Sequence, residues 1–204
     1  MRNRVRLFAL WAPVLAAAGG VLGLCALAVQ GDSPGGGELA SFTAATDPST
    51  VVLYVGVSSP RSRTARSMTV YGNGNVELRK TQLARVEEAY DIVLEPSERD
   101  RLLRLAVDYG LAEWDDTSIE ARMARRLGTG RFLPSDAAEV RIMLAFTSYT
   151  NGDVSRTDLR KDIRFAAVET GLEIAPDIHE LEGLKMLASE LHRLWDQANG
   201  ENEP

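Results

Sequence analysis

The stretch Val140–Phe165, which reads VRIMLAFTSYTNGDVSRTDLRKDIRF, decides the fold of this chain. Its first arm has an apolar residue at every second position: Val140, Ile142, Leu144 and Phe146. This period of two predicts a strand with one buried face. Asn151-Gly152 then predicts a tight hairpin turn, because both turn positions require positive φ. Val154–Phe165 supplies the returning arm, so the stretch predicts an antiparallel hairpin.

Four more strands are predicted before this hairpin, from β-branched and aromatic runs or from alternation. They are Thr50–Val57, Ser67–Tyr71, Val76–Lys80 and Tyr90–Leu94. A polar loop, SSPRSRTAR at 58–66, separates the first two. The GNGN sequence at 72–75 is a second Asn-Gly turn signal. Together with the hairpin, these segments predict about six strands.

The first long helix is predicted to open at Pro96. Either Ser97 caps it, or Pro96 occupies the first helical position with Glu95 outside. Gly110 is expected to end it in the left-handed conformation.

A short helix and a second long helix are also predicted. Thr117–Glu120 matches a capping box that starts the short helix, which ends at Leu127. Pro176 and Asp177 open the last helix. Its apolar stripe has helical spacing, at Ile178, Leu181, Leu184, Leu187, Leu191, Leu194 and Trp195.

The order of these elements decides the fold class. Helices do not alternate with single strands, which disfavours a parallel doubly wound sheet. We expect an α+β domain over residues 50–198. It has an antiparallel sheet of about six strands with two main helices packed on one face, plus one short helix. Residues 199–204 are predicted to be a disordered tail.

The N-terminus, residues 1–30, is interpreted as a membrane anchor or a signal peptide. Arg2, Arg4 and Arg6 precede a run of 23 uncharged residues, Leu7–Val29. As a helix that run would reach about 30 Å, enough to cross a bilayer. The first interpretation is a single-pass protein with a cytoplasmic N-terminus and an extracytoplasmic domain. The alternative is cleavage between Ala28 and Val29 followed by secretion.

Cys25 is the single cysteine of the chain, so no intrachain disulfide can form. Lipidation of Cys25 is disfavoured because Leu24, the residue before it, is too bulky for a lipoprotein signal. Residues 31–49, rich in Gly, Ser, Thr, Ala and Pro, are predicted to be a flexible linker between membrane and domain.

The charge of the chain argues against nucleic-acid binding. The net charge is −6, and the first 28 residues hold three arginines and no acid, so the remainder is more acidic still. Nucleic-acid binding requires a basic footprint. The sequence leaves the oligomeric state open.

No catalytic, cofactor or metal motif is recognised. The chain has no GxSxG, P-loop or HExxH motif. His179 and His192 lie thirteen residues apart on the last predicted helix and are interpreted as solvated side chains. An acid pair for hydrolysis could be drawn from Glu87, Glu88, Asp91, Glu113 and Asp115.

Two groups of arginines are candidates for contact with an anionic partner. The first group is Arg61, Arg63 and Arg66, and the second is Arg122, Arg125, Arg126 and Arg131. The alternative is that nearby Asp and Glu side chains balance them in solvent.

Three segments and the last helix carry a resemblance to known families. The segments are MTVYGNGNVELRK, VLEPSERDRLLRLAVDYGLAEW and AEVRIMLAF. In this layout, over about residues 51–195, the chain resembles bacterial exported, lipoprotein-like domains of unknown function. It is also similar in layout to the emfourin family of metalloprotease inhibitors. The loop at 58–66 lacks the cysteine pair often found in the first group, which excludes a cysteine-dependent role.

These observations predict a cell-envelope domain that binds rather than catalyses. The expected contacts are the membrane through residues 7–29, and an envelope protein or an anionic polymer. The alternatives are a proteinaceous inhibitor of a metalloprotease, implied by the resemblance, and a hydrolase with an unrecognised carboxylate pair.

Overall fold

The computed structural model describes residues 40–127 and 136–200. In these residues the chain forms one antiparallel sheet of seven strands and four α-helices. The strands are β1 (Ser41–Thr43), β2 (Val51–Ser59), β3 (Thr64–Tyr71), β4 (Asn75–Gln82), β5 (Arg85–Val93), β6 (Glu139–Asn151) and β7 (Val154–Ala166). The helices are α1 (Pro96–Asp108), α2 (Asp116–Leu127), α3 (Val168–Ile174) and α4 (His179–Asn199), with a 3₁₀ turn at Leu111–Glu113.

Strand β6 organises the sheet. It pairs with β7 along nearly its whole length. Its other edge is shared, with β2 beside its first half and β1 beside its last residues. From β2 the sheet continues through β3 and β4 to β5. The sheet therefore has β7 at one edge and β5 at the other.

The apolar core lies on one face of this sheet. The strand register aligns one row of apolar side chains across six strands: Ile163, Ile142, Val55, Met68, Leu78 and Tyr90. All except the half-buried Tyr90 are fully buried. The adjacent row points to the opposite face and is largely polar: Asp162, Met143, Tyr54, Thr69, Glu77 and Asp91. The sheet thus has a buried face and an open face.

Helix α4 covers the buried face and contacts β2, β3 and β6. Its predicted apolar stripe is confirmed, because every residue of that stripe is at most 1% exposed. Helix α1 packs against α4 where α4 carries Gly183. A Cβ at Gly183 would lie 2.5 Å from Cβ of Tyr109, so only glycine permits this close approach of the two helices.

The antiparallel mixed α and β architecture is confirmed, and three details differ from the sequence prediction. The sheet has seven strands and there are four helices in the described ranges. Strands β2 and β3 extend to Ser59 and from Thr64, so most of the predicted polar loop at 58–66 is strand. Helix α3 was not predicted.

The additional strand, β1, lies within residues 31–49, the stretch predicted to be a linker. Phe42 of β1 packs on Phe146, with ring centroids 4.9 Å apart. The guanidinium of Arg104 also packs on the Phe42 ring, 4.7 Å from its centroid. Tertiary contacts therefore include residues 40–49 in the domain, although their composition is typical of a spacer.

The first residues of α1, α2 and α4 can be compared with the prediction: one of two alternatives is confirmed, and two predictions are wrong. Glu95 is the N-cap of α1 and Pro96 its first residue, so the second alternative is confirmed. The capping box at Thr117 is wrong, because Asp115 Oδ2 accepts the hydrogen bond from the Ser118 N–H at 2.9 Å. Helix α4 begins at His179 rather than at Pro176.

The predicted anchor, the cleavage position at Ala28 and Val29, and Arg131 lie outside the described residues. Among the helices within 40–127 and 136–200, none combines the length and apolar character required to cross a membrane.

Candidate ligand-binding groove

Two adjoining cavities run along α4 where it crosses the β2–β3 hairpin. They measure about 390 Å³ and about 260 Å³, and both are lined by Val57 and His192. We call the combined depression the α4 groove. Its size matches the range of about 300–1,000 Å³ that is typical of ligand sites.

The floor of the larger cavity is apolar and built from small side chains. Val57 of β2 and Val140 of β6 form the sheet side, and Val168 begins α3 on the far side. Four alanines also contribute to the apolar floor: Ala137, Ala138, Ala167 and Ala188. Because α4 presents Ala188 and not a leucine at this point, the helix leaves space above the end of the sheet.

The rim of the groove is basic. Lys185 and His192 project from α4, Arg66 from β3 and Lys80 from β4. Among the described lining residues the acid is Glu169. Lys80 donates to Glu88, and this hydrogen bond raises the pKa of Lys80, so the ammonium stays charged.

Arg66 is held in place by an aromatic ring. Its guanidinium carbon lies 5.3 Å from the ring centroid of Trp195, which is buried beneath it. A cation on an aromatic face is stabilised without losing its charge, and its N–H donors stay available to a ligand. Because Lys80 is paired with Glu88, the positive charge that the groove offers a ligand comes from Arg66 and Lys185.

Two polar side chains of α4 in the groove form hydrogen bonds with the helix backbone. Ser189 Oγ donates to the Lys185 carbonyl at 3.0 Å. His192 Nδ1 lies 2.7 Å from the Ala188 carbonyl. A carbonyl only accepts, so Nδ1 donates in this hydrogen bond. Both side chains are engaged with the helix backbone, and they form no nucleophile–base pair of the kind a hydrolase requires.

The first predicted arginine group is divided by the structure. Arg61 and Arg63 lie in the β2–β3 turn, where Arg61 pairs with Asp136. Only Arg66 of this group lines the groove.

The second arginine group lies on α2 and is largely balanced by acids. Arg122 pairs with Glu180 at 2.8 Å, and Arg126 pairs with Asp177 at 3.0 Å. Arg126 lowers the pKa of the Asp177 carboxyl through this hydrogen bond. Arg125 is exposed on the same helix. These contacts tie α2 to the start of α4, so they have a structural use.

The carboxylates considered for hydrolysis lie in two separate places in the structure. Glu87, Glu88 and Asp91 lie on β5 at one edge of the sheet. Glu113 accepts from Tyr149 Oη at 2.8 Å beside β6, and Asp115 caps α2. Within the described ranges, no group of three or more His, Cys, Asp or Glu side chains could hold a metal ion.

Lys80, Lys185 and His192 were not predicted from the sequence as ligand-binding residues. Two signals were present. The chain has three lysines, and two of them line the groove. In addition, Lys185, Ser189 and His192 are spaced i, i+4 and i+7, which places polar groups on a single face of α4.

Comparison with models of protein families finds no match to this sequence. Comparison with curated protein sequences also finds no match. The resemblances to exported domains of unknown function and to emfourin therefore stay predictions.

Proposed function

We propose that this chain is a cell-envelope binding domain, exported through residues 7–29, and that the α4 groove is its ligand site. The observation that carries the proposal is the basic rim on an apolar groove in an otherwise acidic domain. The engaged Ser189 and His192 side chains support binding rather than catalysis.

The ligand class follows from the lining. Carboxylates complement Arg66 and Lys185, while the valine and alanine floor accepts apolar side chains. The two cavities share Val57 and His192, so an extended ligand could contact both. We propose an acidic segment of an envelope protein with interspersed apolar residues, one form of the anionic partner expected from the sequence.

The position of the groove suits a partner outside the membrane. The chain enters the sheet at Ser41, which pairs with Thr150 at one end of β6. The groove lies at the other end, where Ser58 pairs with Glu139. Eleven residues of strand separate Thr150 from Glu139, or about 37 Å at the usual rise. The groove is therefore presented at the end of the domain remote from the predicted anchor.

The experiment is a titration of the detergent-solubilised full chain with a synthetic peptide of alternating Glu and Leu residues, followed by amide NMR shifts. We expect shifts at Val57, Ala65 and Ala188, and loss of binding in Lys185→Glu. The matched control is Arg125→Glu, an equal charge change on an exposed position of α2. A peptide with Gln in place of Glu tests the charge requirement. Equal binding of the Gln peptide, or shifts confined to other surfaces, would contradict the proposal.

The anchor is tested separately. Intact mass of the protein extracted from the envelope distinguishes a chain that starts at Met1 from one that starts at Val29. Recovery in the cytoplasmic fraction would overturn the proposed export.

A further inference from the structure

The outer edge of β7 has no strand partner in the described part of the chain. There β7 pairs only with β6, and its side chains on the open face are exposed. The side chains of Asp158 and Arg160 are each 77% exposed. An edge of this length exposes a row of backbone N–H and C=O groups that a further strand could pair with.

Charges on this edge alternate in a regular pattern. From Asp158 to Arg164 every second residue of β7 points to the open face, and these residues are Asp158, Arg160, Asp162 and Arg164. Successive members have opposite sign, and neighbours form ion pairs along the strand. A strand with this pattern is complementary in charge to an antiparallel copy of itself when the two-fold axis passes through an odd-numbered residue.

We propose that two copies of this chain associate through antiparallel pairing of their β7 edges, with the two-fold axis at Lys161. Arg160 then lies opposite Asp162 of the second copy, and Asp158 opposite Arg164 of the second copy. By symmetry this gives four opposite-charge cross-strand pairs. Such pairs stabilise antiparallel strands, whereas like charges directly opposite destabilise them.

The register is selected by charge and by backbone. An axis at Arg160 would place Asp158 opposite Asp162, and an axis at Asp162 would place Arg160 opposite Arg164. Both registers are disfavoured, because like charges then lie opposite each other. Axes at Leu159 and Ile163 are also complementary in charge. However, the axis at Ile163 opposes only Asp162 and Arg164, which gives two pairs and not four. The axis at Leu159 puts Asp158 next to the centre of the pairing, where the backbone has φ 51°. The axis at Lys161 centres the pairing on the regular part of the strand.

The buried face of β7 is compatible with this arrangement. Lys161 faces its own copy across the axis, but its Nζ donates to the Trp114 carbonyl at 2.7 Å. Its charge is thus turned toward its own domain, near Asp115 and Asp116. Opposed residues on antiparallel strands share a face, so the open faces of both copies lie on the same side. The two α4 grooves then lie together on the opposite side, which makes the dimer bivalent.

The test exchanges charges between copies. Full-length chains with two different C-terminal tags are mixed in mild detergent, and co-purification is measured. Wild-type chains are expected to co-purify. Arg160→Asp alone and Asp162→Arg alone are each expected to lose this association, because like charges then oppose. A mixture of these two variants is expected to regain it, since each opposed pair is again Asp against Arg.

Controls keep the result interpretable. Arg160→Lys retains the charge and is expected to associate like the wild type. Asp162 also accepts from Arg141 within its own domain, so the melting temperature of each variant is measured. If Asp162→Arg does not fold, mixing Arg164→Asp with Asp158→Arg makes the same exchange at the outer pairs. Single variants that associate like the wild type, or a mixture that does not regain association, would overturn the proposal.

Discussion

The two edge strands of the sheet, β5 and β7, make the same kind of aromatic contact on the buried face, and they differ in the charges they carry on the open face. At the β5 edge, Tyr90 meets Trp195 edge-to-face, with ring centroids 5.4 Å apart. At the β7 edge, Phe165 meets Trp114 in the same geometry at 6.2 Å. Each edge is thus anchored by an aromatic pair that joins the outer strand to a helix or turn.

On the open face, β5 presents Glu87 and Asp91 where β7 alternates in sign. The β4–β5 pairing also shifts register between Lys80 and Thr81, which leaves Glu87 as an extra residue in β5. Like charges and a bulge are devices that keep an edge unpaired. The two edges therefore have the same structural support and different charge patterns on the open face.

The largest expected effect is at the β5 anchor. Trp195→Ala removes the partner of Tyr90 and the ring beneath Arg66, and leaves a cavity at a position 1% exposed. We expect a loss of about 3–5 kcal/mol in the free energy of unfolding. Urea denaturation followed by circular dichroism measures it. Met186→Ala, on the exposed side of the same helix, is the control and should change little.

The next largest effect is a pH-dependent contribution of Tyr149, near the β6–β7 turn, to the stability of the domain. Burial, together with the hydrogen bond to Glu113, raises the pKa of Tyr149 to about 12 from the ordinary value of 10. A pKa raised on folding stabilises the protein fully below the unfolded value, and this contribution is lost as pH rises from about 10 to about 12. The loss corresponds to about 2–3 kcal/mol. The difference in stability between wild type and Tyr149→Phe, measured from pH 9 to pH 12, should show it. A difference that does not change with pH would contradict the assignment.

A smaller effect concerns the turns that end each edge. The β6–β7 turn carries Gly152 at φ 54°, whereas the β4–β5 turn carries Leu83 and Ala84 at φ 50° and 64°. Non-glycine residues in this conformation cost about 1–2 kcal/mol each. Leu83→Asn with Ala84→Gly should therefore stabilise the domain by about 1–2 kcal/mol. A higher midpoint in urea checks this, and the matched Gly152→Ala should lower it.

The smallest expected effect is on association through β5. Glu87→Arg places a positive charge before Asp91, so that this edge also carries charges of both signs. We expect no association through β5, because the bulge at position 87 still interrupts the ladder. The variant is made in the Arg160→Asp background and followed by co-purification. Association of that double variant would show that charge alone controls edge pairing.

The strands of the core were predictable because their signal is local. The alternation at Val140–Phe146 and the stripe on α4 have the periods of the structures they form. Helix α3 has a weak local signal, since its seven residues include Gly171, an unfavourable helix residue. Strand β1 is three residues long and depends on contacts from Phe146 and Arg104.

The groove was not predictable because its residues are far apart along the chain and share no local signal. Its cationic side chains come from β3, β4 and α4, which only the fold brings together. The arginine groups were visible in the sequence because their members are close along the chain. Those on α2 are largely used in pairs with Asp177 and Glu180.

The short pairing of β1 with the end of β6 has a mechanical consequence. Tension applied through the preceding chain would act on three residue pairs, Ser41–Thr150, Phe42–Tyr149 and Thr43–Ser148, before it reached the rest of the sheet. Release of residues 40–50 would lengthen the attachment by about 35 Å and leave the remaining strands paired. In a single-molecule pulling experiment, that extension should come first and at the lowest force, before the rest of the domain unfolds.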